Sequence, residues 1–171
     1  MERIMRSLLI CLAFAFVFAN AYADESAIPT FGDWAKKCES SKDAEGVERQ
    51  ICYVFQTVSN KETGQMIMQV RVGFAPGKNE PVMIATLPLG ALLPPGAAFV
   101  VEGAEPVKMP FLACGREGCT TIGQLLSKAV VDAMQKGETA SVRVALLNKK
   151  VLPVPVSLKG FTRAYNAIAP K

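Results

Sequence analysis

Between Met66 and Phe74 every second residue is apolar. Met66, Met68, Val70, Val72 and Phe74 fall on one side of an extended chain, with Ile67, Gln69, Arg71 and Gly73 on the other. A period of two is the period of a strand, because successive side chains of extended backbone point to opposite faces. One face suits a core and the other a wetter environment, which is the arrangement of an antiparallel sheet. The methionines alternate with Val and Phe, so they read as core filling and not as soft metal ligands.

The remaining segments repeat this theme in short pieces separated by turn chemistry. Gly32 to Cys38 reads as a first strand carrying the single tryptophan, Trp34, as a core residue. Polar residues from Glu39 to Glu48 form a turn, and Arg49 to Thr57 resumes an extended segment. Asn60 to Gly64 turns into the alternating strand, Ala75 to Asn79 ends it, and Pro81 to Leu87 follows as another strand. Ala98 to Val101 is a short strand, and Val107 to Cys114 is an extended edge piece broken by Pro110. Ser141 to Leu147 and Val151 to Leu158 complete the set, with Pro153 and Pro155 marking the latter as an edge.

One helix is expected. Ile122, Leu125, Leu126, Ala129, Val130, Ala133 and Met134 recur at the spacing of one helical face, with Thr120 or Thr121 as cap and Gly137 beyond the end. The opposite face is polar, so the stripe packs on a sheet and does not cross a membrane. Phe161 to Ile168 closes the chain as a short helix. The expected fold is mainly β: an antiparallel, sandwich-like or curled sheet of about seven or eight short strands with one amphipathic helix, braced by disulfides.

The N-terminus places this fold outside the cytoplasm. Arg3 and Arg6 precede an uncharged apolar run from Ser7 to Ala19, and Ala21-Tyr22-Ala23 is a small-x-small cleavage site. The run is shorter than the roughly 20 residues that a spanning helix needs. Residues 1–23 are therefore read as a signal peptide and residues 24–171 as one exported domain without a membrane anchor. Cys11 leaves with the leader, and Ile10 before it does not suit a lipidation signal.

Four cysteines remain: Cys38, Cys52, Cys114 and Cys119. In an exported chain an even set reads as disulfides. Each sequence-local pair flanks a turn-like segment, which favours pairing 38 with 52 and 114 with 119, while the other two connectivities stay open. Spacings of thirteen and four intervening residues fit a four-thiolate zinc site poorly. The spacing of Cys114 and Cys119 is also not that of a redox-active pair.

There is no histidine in the chain. That removes Ser-His-Asp and Cys-His nucleophiles and every histidine-bearing metal site. An enzyme would have to use carboxylates such as Asp33, Glu48, Glu102, Glu105 or Asp132, and nothing in their spacing pairs them. Without the leader the 19 basic and 15 acidic residues become 17 and 14, a net charge of +3 with no basic stripe, which argues against nucleic acid as partner.

Trp34-x3-Cys38, Cys52 with Gln56, Leu87-Pro-Leu-Gly90, Pro95-Gly96, Pro110-Phe111-x2-Cys114, Gly118-Cys119, Lys136-Gly137 and Pro155-Val-Ser-Leu-x-Gly-Phe161 occur in that order. Together with the leader and the four cysteines, this series resembles the invasion-associated locus B family of exported bacterial proteins, from Phe31 to the C-terminus. The resemblance implies a periplasmic or secreted location and an association with host-cell invasion in the founding branch. It carries over no enzymatic activity, catalytic residue or cofactor. The reading from sequence is therefore a non-enzymatic envelope protein that binds a protein or another envelope or host-surface component through loops on a braced β scaffold. A carboxylate enzyme and a thiol-disulfide redox protein are the alternatives.

Overall fold

The computed structural model describes residues 28–42, 46–75 and 77–170. The expected signal peptide, with Cys11, lies outside the described residues. Twelve strands form two antiparallel sheets among these residues. The larger sheet contains β1 (Thr30–Phe31), β2 (Trp34–Lys42), β3 (Glu48–Ser59), β4 (Met66–Phe74), β5 (Pro81–Leu87), β9 (Gly118–Thr121) and β8 (Phe111–Gly115) in that spatial order, with β10 (Gln124–Leu125) also paired to β5. The smaller runs β12 (Val151–Ser157), β11 (Thr139–Ala145), β6 (Ala97–Val101) and β7 (Val107–Met109). The helices are α1 (Lys128–Lys136) and α2 (Phe161–Asn166).

The alternation that opened the sequence reading decides which face meets the core. Met68, Val70 and Val72 of β4 are fully buried, as are Val54 of β3 and Met83 and Ala85 of β5 beside them. They share one cluster with Phe99, Met109, Val142, Val144, Val154 and Val156 of the smaller sheet. Trp34 is 1% exposed and meets Phe161 of α2 edge-on, with ring centroids 5.0 Å apart. Burial of such aromatic surface, worth roughly 25 cal/mol per Å2, makes α2 a plug for the end of the core.

Two expectations about strands are refined. Val107 to Cys114 is not one edge strand: β7 is an edge of the smaller sheet and β8 an edge of the larger, and Pro110 lies where the chain passes between them. Proline has no N–H to lose, so it interrupts the ladder there at little cost. The strand count exceeds the expected seven or eight because short pairings such as β1 and β10 carry too few residues to show a pattern. Pro153 and Pro155 do lie on an edge, since among the described residues β12 pairs only with β11.

The helix starts later than its apolar spacing suggests. Residues 118–121 and 124–125 are strands along β5, and Lys128 is the first helical residue. The free side of β5 supplies ladder partners that the helical pattern does not reveal. Thr121, an expected cap, instead accepts from the Ala85 N–H at 3.0 Å, and the Thr120 hydroxyl lies 3.2 Å from that of Thr86. The Leu126 N–H donates to the Pro81 carbonyl at 2.9 Å. Ser127 becomes the cap, accepting from the Val130 N–H at 3.3 Å. Leu126, Val130, Val131 and Met134 are buried, whereas Ile122, Leu125 and Ala129 are exposed.

Candidate interaction face

The outer surface of the larger sheet is built by the residues that alternate with its core. Ladder register sets them in rows across the strands: Lys37, Tyr53, Gly73, Val82 and Leu125 in one, and Ala35, Phe55, Arg71 and Ile84 in the next. Ile51 extends the first row's neighbourhood, opposite Glu39. Tyr53, Phe55, Val82 and Ile84 are half-buried by one another, and Leu125 is 65% exposed. The helices pack mainly elsewhere, α1 against β6 and α2, and α2 against β1 and β2, although Tyr165 of α2 meets the Phe74 ring at the end of β4 with centroids 5.6 Å apart. An outer sheet face this apolar is unusual where a polar alternation would serve solubility, and exposed apolar patches mark interaction sites.

A small charged cluster borders this surface. Lys37 Nζ lies 2.7 Å from Glu39 Oε1, and the Tyr53 hydroxyl donates to the same oxygen at 3.0 Å. The hydrogen bond from Lys37, followed by that from Tyr53, holds the Glu39 carboxyl below the usual carboxylate range. Desolvation, with the hydrogen bond to Glu39, pushes the Tyr53 phenol upward. The Tyr53 hydroxyl thus serves as a donor to the Glu39 carboxylate.

Gly73 leaves a hole in the row between Tyr53 and Val82. A depression of about 240 Å3 opens there, lined chiefly by Ile51, Tyr53, Arg71, Phe74, Val82 and Ile84. Arg71 is its charged wall, and among the described residues Arg71 Nε is buried without a hydrogen-bond partner. Glycine inside a strand commonly marks a place where another group approaches the backbone closely.

The carboxylates considered for catalysis do not assemble. Asp33 lies in the turn between β1 and β2, where Oδ2 accepts from the Ser157 hydroxyl at 2.6 Å, and Glu48 begins β3 opposite Lys42. Glu102 and Asp132 line one open concavity of about 430 Å3 with Lys136, but Asp132 is paired with Lys128 at 2.6 Å and Glu102 is exposed. Glu105 lies apart, ahead of β7. Among the described residues no group of three His, Cys, Asp or Glu side chains could hold a metal ion.

Cys38 is bonded to Cys52, and Cys114 to Cys119. Each pair sits directly opposite across two antiparallel strands, one bond clasping β2 to β3 and the other β8 to β9. These bonds brace opposite sides of the larger sheet, and the four sulfurs form no common site.

Spacing did not reveal what Gln56 does. It is 6% exposed, and its Nε2 donates to the carbonyls of Asp33 at 3.2 Å and Ser157 at 3.0 Å, while its Oε1 accepts from the Ser157 N–H at 2.8 Å. Trp34 Nε1 donates to the Ser157 carbonyl as well, at 2.8 Å. This latch ties β3 of one sheet to the edge strand β12 of the other. The available signal was a glutamine at the inward parity of β3, two residues after the buried Val54.

Two antiparallel sheets, a cross-sheet polar latch and two cross-strand disulfides define a disulfide-braced β scaffold with an apolar outer face. The model of the family described as invasion associated locus B (IalB) protein matches residues 34–169, and the chain belongs to that family. The crystal structure of invasion associated protein b from Bartonella henselae is similar in fold, with a TM-score of 0.71 at 21% identity over 84% of this chain and 95% of that one. No curated protein matches the chain.

Proposed function

We propose that the protein is an exported, non-enzymatic binding module. Its leader is removed after Ala23, and the domain from Asp24 onward acts in the periplasm or at the cell surface by holding another macromolecule against the outer face of the larger sheet. The observation that carries this reading is the pair of adjacent rows, Tyr53, Val82 and Leu125 in one and Phe55 and Ile84 in the next, on the outer face of the larger sheet. Family membership supports an invasion-associated or envelope role. The absence of histidine from the sequence and the separate settings of the carboxylates favour binding over catalysis.

Sequence reasoning placed the contact on loops; this reading moves it to the sheet face, where aromatic and aliphatic side chains stand side by side in adjacent rows. A photoreactive side chain placed at Phe55 or Leu125 in intact cells is expected to cross-link a discrete partner, whereas the same group at Lys108, on the other sheet, gives none. Equal labelling from all three positions, or none from Phe55 and Leu125, refutes the face. Fractionation with surface proteolysis of the same cells then assigns the compartment.

A further inference from the structure

The depression at Gly73 has a size and a charge that specify what enters it. Small-molecule pockets usually run from about 300 to 1,000 Å3. At about 240 Å3 this one is smaller, equivalent to roughly eight waters at liquid density. That is room for one apolar side chain, the kind of anchor by which a protein partner seats itself on a surface.

The opening depends on the missing side chain. A Cβ at Gly73 would stand 3.1 Å from Tyr53 Cβ, so even alanine would press on the wall residue while filling the floor. Arg71 supplies the charge. Glu39, the nearby anion, already accepts from Lys37 and Tyr53, and Arg71 Nε is buried without an acceptor. Buried polar groups without partners are rare, and a guanidinium pairs best with a carboxylate.

We propose that this depression is the anchor site for a protein partner presenting a leucine- or phenylalanine-sized side chain beside a carboxylate. The apolar group enters over Gly73 between Tyr53 and Val82, and the carboxylate meets the terminal nitrogens of the half-buried Arg71 side chain, since Nε itself is covered by the protein. This assignment rests on the reading of the outer face as the partner surface, and it adds the chemistry of the contact.

The test uses N-acetylphenylalanine as free acid and as amide, titrated into the isotope-labelled exported chain with amide shifts followed by NMR. The acid is expected to produce saturable shifts at Ile51, Tyr53, Gly73, Val82 and Ile84, and the amide to bind about tenfold more weakly through loss of the charge-assisted contact. Arg71→Gln should weaken the acid far more than the amide, so that the two probes bind the variant with about equal affinity. Gly73→Ala should weaken both probes. Because Gly73→Ala can also disturb Tyr53, Arg71→Gln is the deciding variant. Absence of saturable shifts at these amides, or equal affinity for acid and amide, overturns the proposal. A persistent Phe55 cross-link in cells alongside absent probe binding removes this inference alone, whereas loss of the cross-link removes the face reading itself.

Discussion

Replacing Gln56 by leucine should unlatch the two sheets without emptying the site. The substitution deletes three hydrogen bonds, to the Asp33 carbonyl and to the Ser157 carbonyl and N–H. At about 1 kcal/mol each they are worth about 3 kcal/mol net. The Ser157 carbonyl keeps its bond from Trp34 Nε1, but the Asp33 carbonyl and Ser157 N–H lose their side-chain partner. Their desolvation raises the cost toward about 5 kcal/mol, and apolar burial of the leucine offsets part of that. A loss of about 3 kcal/mol is therefore expected, equivalent to a Tm decrease of about 9 °C at about 3 °C per kcal/mol for a domain of this size. Urea unfolding followed by far-UV circular dichroism measures it. Gln69→Leu is the control, because its one side-chain bond, to Thr57 at 3.1 Å, is exposed, and it should cost less than about 0.5 kcal/mol. In the double variant Trp34→Phe with Gln56→Leu, the Ser157 carbonyl loses both side-chain donors, so the combined loss should exceed the sum of the single losses by about 1 kcal/mol. A Gln56→Leu loss below about 1 kcal/mol, or strict additivity, refutes the latch as a determinant of stability.

Three further outcomes follow from the same structure. Cys38 and Cys52 close 15 residues, from a sequence separation of 14, and Cys114 and Cys119 close 6, from a separation of 5. Chain entropy then predicts losses of about 3 and about 2 kcal/mol for the respective Cys-to-Ser pairs in urea melts, and the reverse ranking would count against it. Gly160 and Gly103 have nearly the same left-handed backbone, φ 86° and 84°, but an added Cβ would stand 1.9 Å from the Phe31 carbonyl oxygen at Gly160 and meet nothing within 4 Å at Gly103. Gly103→Ala should cost about 1 kcal/mol and Gly160→Ala about 3 kcal/mol or more, and equal thermal shifts would refute the close approach. Burial raises the phenol pKa of Tyr165 and, first among its causes, that of Tyr53. Because the folded chain holds these protons more tightly, the associated stability is present below about pH 10 and is lost as pH rises through the elevated folded values. Tyrosinate absorbance of the folded domain should therefore rise at higher pH than in urea, and coincident curves would exclude the shift.

Much of the β architecture was legible because strand periodicity is local. Pro81–Leu87 emerged with the bounds its composition suggested, and the alternation of β4 assigned its inward and outward residues correctly. The start of α1 was not legible. Ile122 and Leu125 have helical spacing relative to Val130 and Met134, yet the free side of β5 offers ladder bonds that a helix would forgo. That competition depends on a strand some forty residues away in the chain, and no local pattern contains it. The outer face was similarly hidden, because Tyr53, Gly73 and Val82 become one row only when three registers are set together.

The sequence by itself determined an antiparallel β character, the inward faces of the principal strands and the lack of any histidine chemistry, since these depend on residue type and nearest-neighbour spacing. Tertiary structure alone decided that Gln56 spans two sheets, that Pro110 marks a passage between them, and that a glycine beside an arginine opens a depression on an apolar face. Those features arise from residues brought together across strands, where the core fixes register and the ladder fixes which side chains stand side by side.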